Sequence, residues 1–575
     1  MSLTILLALV VLHGHPADAC VAAPTSVAAS LAPPAVWLAA AVRLPLRLRG
    51  GSSEDDAVTT TPAGGEQGPG VPVQGFLARS TVEHLLARGT GAAGAAVAVC
   101  GWARTIRVQG SGTFAFLELN DGSTFHSIQV VVDKGTPGWN DVEANTHTHT
   151  SWRAEGVVVK SPGKGQEIEL KATAIRLLGS CPPDNYPLAK GRLPLEFLRN
   201  HPHFRLRTNT HGAVTRVRSA LAFGVHQFMQ SQQFHYLHTP IVTTSDCEGA
   251  GELFSVTTLL SDPKRLLSPS AASSTATAGG VAAAGAEPRV DYTVDFFKKP
   301  AFLTVSGQLH AEAAAVALGK VYTFGPTFRA ENSHTSRHLA EFWMIEPEMA
   351  FADLTDSIDC AEAMLKAAVA HVVAALPADI AFFSGACDKG LGGFWRGSLR
   401  ESLEQVIRTP FARVSYSDAV RILQEGDVGE AGHGRFATKA VWGADLAAEH
   451  EKYLTDVHFK GPVVVHDWPK DIKAFYMRAN DDGKTVAAMD ILFPRAGEMA
   501  GGSQREERLD TLLARMAALN VPTAPLEWYL DLRRFGGVAH AGFGVGFDRL
   551  VQFVCGLENI RDVVMFPRAA GQASQ

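Results

Sequence analysis

The chain has 575 residues, 46% hydrophobic and 19% charged, a globular profile with apolar material for more than one core. Its formal net charge of −6 excludes a uniformly basic nucleic-acid-binding particle, so any RNA contact has to come from a local patch of Lys and Arg. Seven scattered Cys with no CxxC pair, and no Asn-x-Ser/Thr sequon, argue against a disulfide framework, a structural zinc site and passage through the secretory route. The thiols read as reduced core residues.

Residues 1–75 differ from the rest. Leu3 to Leu12 is an apolar run, followed by Ala17-Asp18-Ala19, an A-x-A-like cleavage site. Ten apolar residues are too few for a span, which needs roughly 20, and no membrane partner is expected. An Ala/Ser/Pro-rich stretch with Arg43, Arg47 and Arg49 follows, and Asp18 is the only acid before Glu54. This order resembles the bipartite leader of algal plastid proteins, with a mitochondrial leader as the alternative. A disordered tail or a mis-assigned start codon, with a cytoplasmic protein behind it, stays open.

Residues 76–180 read as a barrel domain. Short alternating segments occur at Val97–Trp102, Phe114–Leu119, Ser127–Val132, Arg153–Lys160 and Ile168–Ile175, separated by turns such as Asn120-Asp121-Gly122. Five such strands suggest a Greek-key barrel of the OB type. His147 and His149, in Thr-His-Thr-His-Thr, lack a nearby third ligand and read as an exposed polar loop.

Residues 181–210 form a hinge. From Lys190 to Arg218 there are seven basic residues and one acid, Glu196. They suggest contact with an RNA backbone, against the plainer reading of a solvated hinge surface. The remainder, 211–575, mixes long helical and strand patterns. An Ala/Ser/Thr/Gly-rich stretch from Ser268 to Glu287, within about 261–290, reads as a low-complexity insert.

No GxxxxGK[ST] loop is present and no dinucleotide fingerprint stands in a βαβ context, so a nucleotide would have to be gripped by arginines, whose planar fork suits phosphate. Three segments fit. Val214, Val217, Leu221, Val225 and Phe228 form one helical stripe, leading to a strand Phe234–Thr239 that stops at Pro240. Next, Phe324-Gly-Pro-Thr-Phe-Arg329-Ala-Glu331, a polar loop through Arg337 and His338, and Glu341-Phe342-Trp343-Met344-Ile345-Glu346 read as two strands and a loop. On a strand, Arg329 and Glu331 would share a face. Last, Gly542-Phe-Gly-Val-Gly546-Phe547-Asp548-Arg549 reads as a Gly-rich strand feeding a helix whose first turn carries Arg549.

In this order the three segments resemble motifs 1, 2 and 3 of class II aminoacyl-tRNA synthetases. With Phe302-Leu-Thr-Val-Ser-Gly-Gln308-Leu and Gly501-Gly-Ser-Gln-Arg505-Glu-Glu-Arg508, residues 95 to about 570 resemble the bacterial-type asparaginyl branch. The resemblance implies an α+β chain: an OB-fold anticodon-binding barrel, then an antiparallel catalytic sheet of six or seven strands flanked by helices, in a homodimer built on motif 1. It implies ATP with Mg²⁺, L-asparagine and tRNA(Asn) as ligands.

Carried over position by position, Arg329 meets the α-phosphate and Arg549 the γ-phosphate, and these two are the catalytic residues. Glu331, Arg337, His338, Phe342 and Glu498 complete the ATP contacts. Asp490 and Glu498 match the acid pair that holds Mg²⁺, an ion content with few carboxylates plus phosphate oxygens. Arg505 faces the asparagine side-chain carbonyl, Glu248 closes over the substrate, and Gln308 and Glu346 meet its α-ammonium. Phe116 and Gln129 match residues that stack on and hydrogen-bond the central anticodon base, with Arg107 as a third contact; the plainer reading of Phe116 is barrel core.

One departure separates the aspartyl and asparaginyl branches. Aspartyl enzymes carry a Lys three residues after the Gln matched by Gln308; here Ala311 stands there, followed by Glu312. A carboxylate accepts from an amide NH₂ and repels aspartate, and a buried site of this kind discriminates by roughly 10⁴. An aspartyl enzyme, an asparagine-making ligase paralogue without the barrel, and an RNA-binding protein with a dead catalytic domain are the rivals.

Overall fold

A computed structural model describes residues 79–188, 191, 193–245, 253–261, 290–428 and 434–573. The leader, Glu248 and most of the low-complexity insert lie outside them.

Five strands close into a barrel in the order β1-β2-β3-β5-β4: β1 (Ala96–Gln109), β2 (Phe114–Asn120), β3 (Ile128–Asp133), β4 (Ser151–Lys160) and β5 (Ile168–Gly179). Alternation drives closure. Ala115, Leu117 and Leu119 point inward against Val130, Leu170 and the fully buried Trp152. The first strand is more than twice the length its sequence suggests. A bulge at Ala103/Thr105 lets it pair with β4 on one half and β2 on the other.

The second domain is built on an eight-stranded sheet, β11-β12-β13-β14-β15-β10-β9-β6. Its strands are β6 (His235–Leu237), β9 (Lys320–Phe328), β10 (Glu341–Ala350), β11 (Ala412–Ser415), β12 (Val463–Pro469), β13 (Thr485–Phe493), β14 (Gly497–Gln504) and β15 (His540–Gly546); β7 (Val242–Thr243) and β8 (Phe302–Leu303) pair separately. The six central strands are antiparallel, but both edges pair parallel, β11 on β12 and β6 on β9. The sheet is therefore mixed and one or two strands wider than expected. The extra strands are short edge segments, which leave little periodic signal.

Helix α1 (Asn209–Ser231) is capped by Thr208, which accepts from the His211 amide. It buries Val214, Val217, Leu221 and Val225, as its stripe predicts, against α3 (Leu354–Ala375); α2 (Gln308–Leu318) precedes β9. The remaining helices used below are α4 (Ala448–Lys452), α5 (Glu527–Arg534) and α6 (Phe547–Cys555).

The five described arginines of the basic run around the hinge all have partners within the protein. Arg199 pairs with the buried Asp562 at 2.6 Å. Arg205 is wholly buried and donates to the carbonyls of Arg561 (3.1 Å) and Met565 (3.0 Å). Arg216 pairs with Asp379 at 2.7 Å, Arg218 with Asp548, and Arg207 lies over the Phe204 ring. These charges staple the hinge to the catalytic domain. Lys190 and Arg192 lie outside the described residues. His149 is likewise not an exposed loop residue: it is half-buried, 5.2 Å from the Tyr186 ring. The five described thiols are unpaired, and Cys181, Cys387 and Cys555 are buried.

Candidate functional site

The site lies across strands β9, β10, β14 and β15, and its two ends differ in chemistry. At the buried end, Gln308 opens α2 and Glu312 follows one turn later, wholly buried. Glu312 is not a free acceptor. Its Oε1 accepts from Gln308 Nε2 (3.0 Å), and its Oε2 faces Tyr529 Oη (2.8 Å), Arg533 (2.9 Å) and His540 Nε2 (2.9 Å). Burial alone would raise this carboxyl, but Arg533, His540 and Arg505 together outweigh it and hold Glu312 below the usual range.

Arg505, just past β14, makes a two-pronged contact with Glu348 (2.5 and 3.3 Å) and donates to Ser503 Oγ at 2.8 Å. Glu348 is pushed upward by burial and by Glu312. Gly542 makes room for it, because a Cβ there would lie 2.3 Å from the Glu348 carboxylate. Glu346, two residues back on β10 and on the same face, accepts from the Gly307 amide (2.9 Å), Thr323 Oγ1 (3.0 Å) and Ser306 Oγ.

The other end is an open cavity of about 210 Å³ lined by Arg329, Glu331, Arg337, His338, Phe342, Glu498 and Arg549. Strand β9 ends at Phe328, so Arg329 and Glu331 occupy the start of the loop rather than the strand. The Arg329 amide still donates to Ala340 (3.0 Å), and its guanidinium lies 5.5 Å from the Phe342 ring. Ion pairs here are long: Arg329–Glu331, His338–Glu331 and Arg337–Glu451 are each 4.0 Å, and Arg549–Glu498 is 3.9 Å. Arg549 stands in the first turn of α6. The neighbouring Asp548 accepts from the Trp343 amide (2.8 Å) and pairs with Arg218, which ties α1, β10 and α6 together.

Asp490 on β13 and Glu498 on β14 converge over Gly501. A Cβ at Gly501 would lie 3.3 Å from Asp490 Oδ1 and 3.1 Å from Glu498 Oε1. Lys473 Nζ holds the other Asp490 oxygen at 2.8 Å, and burial pushes the Asp490 carboxyl upward. Among the described residues no group of three or more His, Cys, Asp or Glu is arranged to hold a metal. A pair of carboxylates, with Glu498 on the wall of the open cavity, still fits Mg²⁺, which takes few carboxylates and keeps most of its ligands as phosphate and water. Glu451 of α4 adds a third carboxylate nearby, raised to about 7 by burial and by Glu498.

In the barrel, Phe116 points outward and half-exposed, so it is not core. Arg107 stands directly opposite on β1, and Gln129 of β3 is held by Glu169 at 3.0 Å. The three share one outer face.

Sequence reasoning missed Glu348, Arg533, His540, Tyr529, Glu451 and Lys473. Only Glu348 left a local signal, as the second acid of Glu346-Pro-Glu348 on an alternating strand.

Comparison with known proteins matches this geometry. Residues 195–570 match tRNA synthetases class II (D, K and N), and residues 97–178 match the OB-fold nucleic acid binding domain. The fold and the two-ended site are thus those of a class II tRNA synthetase. An asparagine–tRNA ligase of Protochlamydia amoebophila is 52% identical over 476 residues, 82% of this chain and 94% of that protein. The one from Nostoc is 50% identical over 481 residues, 83% and 95% of the two chains. The crystal structure of asparaginyl-tRNA synthetase from Pyrococcus horikoshii complexed with asparaginyl-adenylate superposes with a TM-score of 0.71 at 28% identity, covering 86% of this chain and 99% of that one. The chain belongs to the asparagine–tRNA ligase family.

Proposed function

We propose that the protein activates L-asparagine with ATP and loads it onto tRNA(Asn). The observation that carries this reading is that the same strands, β10, β14 and β15, carry both ends: a buried, charge-balanced cluster around Glu312 and Arg505, and an open cavity lined by Arg329, Arg337 and Arg549. The asparagine carboxylate attacks the α-phosphate in line, giving asparaginyl-adenylate and diphosphate. A terminal ribose hydroxyl of the tRNA then takes the acyl group and AMP leaves.

Arg329 offsets charge growing on the α-phosphate and Arg549 orients the leaving phosphates, so catalysis is positioning plus electrostatics. Phe342 offers a ring to the adenine, with Glu331, Arg337 and His338 around it. Asp490 and Glu498 would hold Mg²⁺, which supplies counter-charge to the nucleotide phosphates. Gln308 and Glu346 accept from the α-ammonium. Arg505 faces the side-chain carbonyl, and Glu312 Oε1, with a lone pair left beside its bond from Gln308, faces the amide NH₂. Glu248 is assigned to closure over the substrate on sequence alone. Phe116, Gln129 and Arg107 receive the anticodon.

A homodimer is proposed on the edge formed by α1 and β6, where Phe223 is 60% and Tyr236 40% exposed. The leader composition supports import into a plastid or mitochondrion; processing of a residue 1–75 fusion by isolated organelles tests that, and an uncut cytosolic fusion rejects it.

Asparagine-dependent ATP–diphosphate exchange, followed by aminoacylation of tRNA(Asn), tests the main reading. Exchange driven by aspartate instead, or free asparagine released without tRNA, would replace it with one of its rivals. In Glu312→Gln the kcat/KM ratio for asparagine over aspartate should fall, because a charge-assisted bond worth about 1.5–3 kcal/mol is lost to one and a repulsion to the other. An unchanged ratio would mean that other residues read the amide.

A further inference from the structure

A second cavity, of about 370 Å³, lies on the other side of Arg337, which borders both spaces. Its other charged walls are Arg396, Lys452 and Arg495, opposed by Asp456 and Glu558. Among the described lining residues, cations therefore outnumber carboxylates by four to two.

Three features mark this space as built. Gly497, at φ 74°, lies in the wall of this cavity. A Cβ there would lie 2.8 Å from Arg337 Nη1 and 2.6 Å from Glu451 Oε2, so any larger residue would displace the ends of both side chains. Arg495 occupies the turn between β13 and β14 at φ 66°, a left-handed conformation that costs a non-glycine residue energy. Its side chain lines the cavity, while its Nη1, shielded from solvent, has no hydrogen-bond partner, a cost the fold bears. Finally, the wall continues from Lys452 into one turn of π-helix, Tyr453–His458, which brings Thr455 and Asp456 to the cavity. Such wide turns are rare and concentrate at functional sites.

We infer that this cavity is a second phosphate subsite, which receives the diphosphate released by adenylate formation. The inference rests on the adenylate-forming reading above. In that step a bond forms between the asparagine carboxylate oxygen and the α-phosphorus. The bond from that phosphorus to the bridging oxygen breaks, and its electron pair leaves with the diphosphate. The product is a compact polyanion set free beside Arg337. Arg337 contacts it first, and Arg495, Lys452 and Arg396 then draw it out of the nucleotide cavity. Clearing that cavity opposes the reverse reaction and vacates the space beside the adenylate.

The test uses the full chain, a Lys452→Ala/Arg396→Ala double variant and, separately, Arg495→Gly. Glycine accepts a φ of 66°, so the turn is retained. Calorimetry with inorganic diphosphate alone should give about tenfold weaker binding in each variant, and the KM for ATP should stay within about twofold. Diphosphate should also inhibit adenylate formation about tenfold less strongly as a product. Unchanged diphosphate affinity in both variants overturns the inference, as does a wild-type chain that binds no diphosphate. A rise in the KM for ATP parallel to the loss of diphosphate binding also overturns it, because the cavity then serves the bound nucleotide. Direct binding decides the matter even if exchange assays reject the adenylate-forming reading.

Discussion

The two ends of the site handle charge in opposite ways. Around Glu312 and Glu348 the hydrogen-bonded partners are buried and lie within 2.5–3.3 Å, with Arg505 a further 3.9 Å from Glu312 Oε1. Around Arg329, Arg337 and Arg549 the ion pairs are 3.9–4.0 Å apart and partly exposed, and the hydrogen bonds that Arg337 and Arg549 donate go to the neutral carbonyls of Arg495 and Glu498. The difference follows from the ligands. A small neutral side chain brings no counter-charge, so its pocket has to be balanced before it arrives. A triphosphate brings charge of its own, and arginines already locked to close partners would have to be freed first.

Breaking the buried balance should therefore cost the fold, while breaking the loose one should cost only rate. Arg533→Met leaves Glu312 short of a cation and should lower the unfolding free energy by about 3–5 kcal/mol, read from urea denaturation. A stability change below about 1 kcal/mol would erase the contrast. Arg549→Ala should cut ATP–diphosphate exchange about 10²–10³-fold and raise the KM for ATP, with stability within about 0.5 kcal/mol of the parent. Wild-type exchange in that variant would remove Arg549 from the phosphate grip.

The barrel, which matches the OB-fold nucleic acid binding domain, sharpens the comparison. Phe116→Ala should weaken tRNA binding by about 1–3 kcal/mol, seen as a raised KM for tRNA in aminoacylation. Exchange without tRNA should not change; if it does, Phe116 acts through the fold.

The smallest effect concerns pH at the junction of the two domains. Burial, then Arg104 and Arg207, hold His149 down at about 4 against an ordinary value of 6.5. The unfolded chain takes up a proton at this residue near pH 6.5 that the folded chain refuses until about 4. The stability from neutral His149 is therefore complete above pH 6.5 and is lost as the pH falls toward 4. His149→Phe keeps the ring and should flatten the fall in urea midpoint across that window. An identical slope would place the titration elsewhere.

What the sequence reveals follows the range of the interactions. Barrel strands are readable because alternation is local, and β1 is under-read because its second half, Arg104-Thr105-Ile106-Arg107, carries polar residues and a bulge. The charges that line the open cavity are readable for the same reason: Arg329, Arg337 and Arg549 each sit inside a short motif. The partners of Glu312 are not, since Tyr529, Arg533 and His540 lie 217, 221 and 228 residues away. The hinge arginines mislead for the converse reason. A run of positive charge says nothing about acids or carbonyls 163 to 363 residues further on that absorb it.

That staple between Arg199, Arg205 and residues 561–565 also sets a timetable for synthesis. Its two halves are separated by 356–363 residues, which a ribosome adding about 5–20 residues per second takes roughly 20–70 seconds to bridge. The barrel has all its strands between Ala96 and Gly179 and can close early in that interval. The hinge emerges next with a guanidinium that has no place to go until the last part of the chain appears. A nascent chain thus carries a finished barrel on an unfinished enzyme for most of its translation, and a message truncated before codon 561 would release a barrel whose hinge arginines have lost their carbonyls and Asp562.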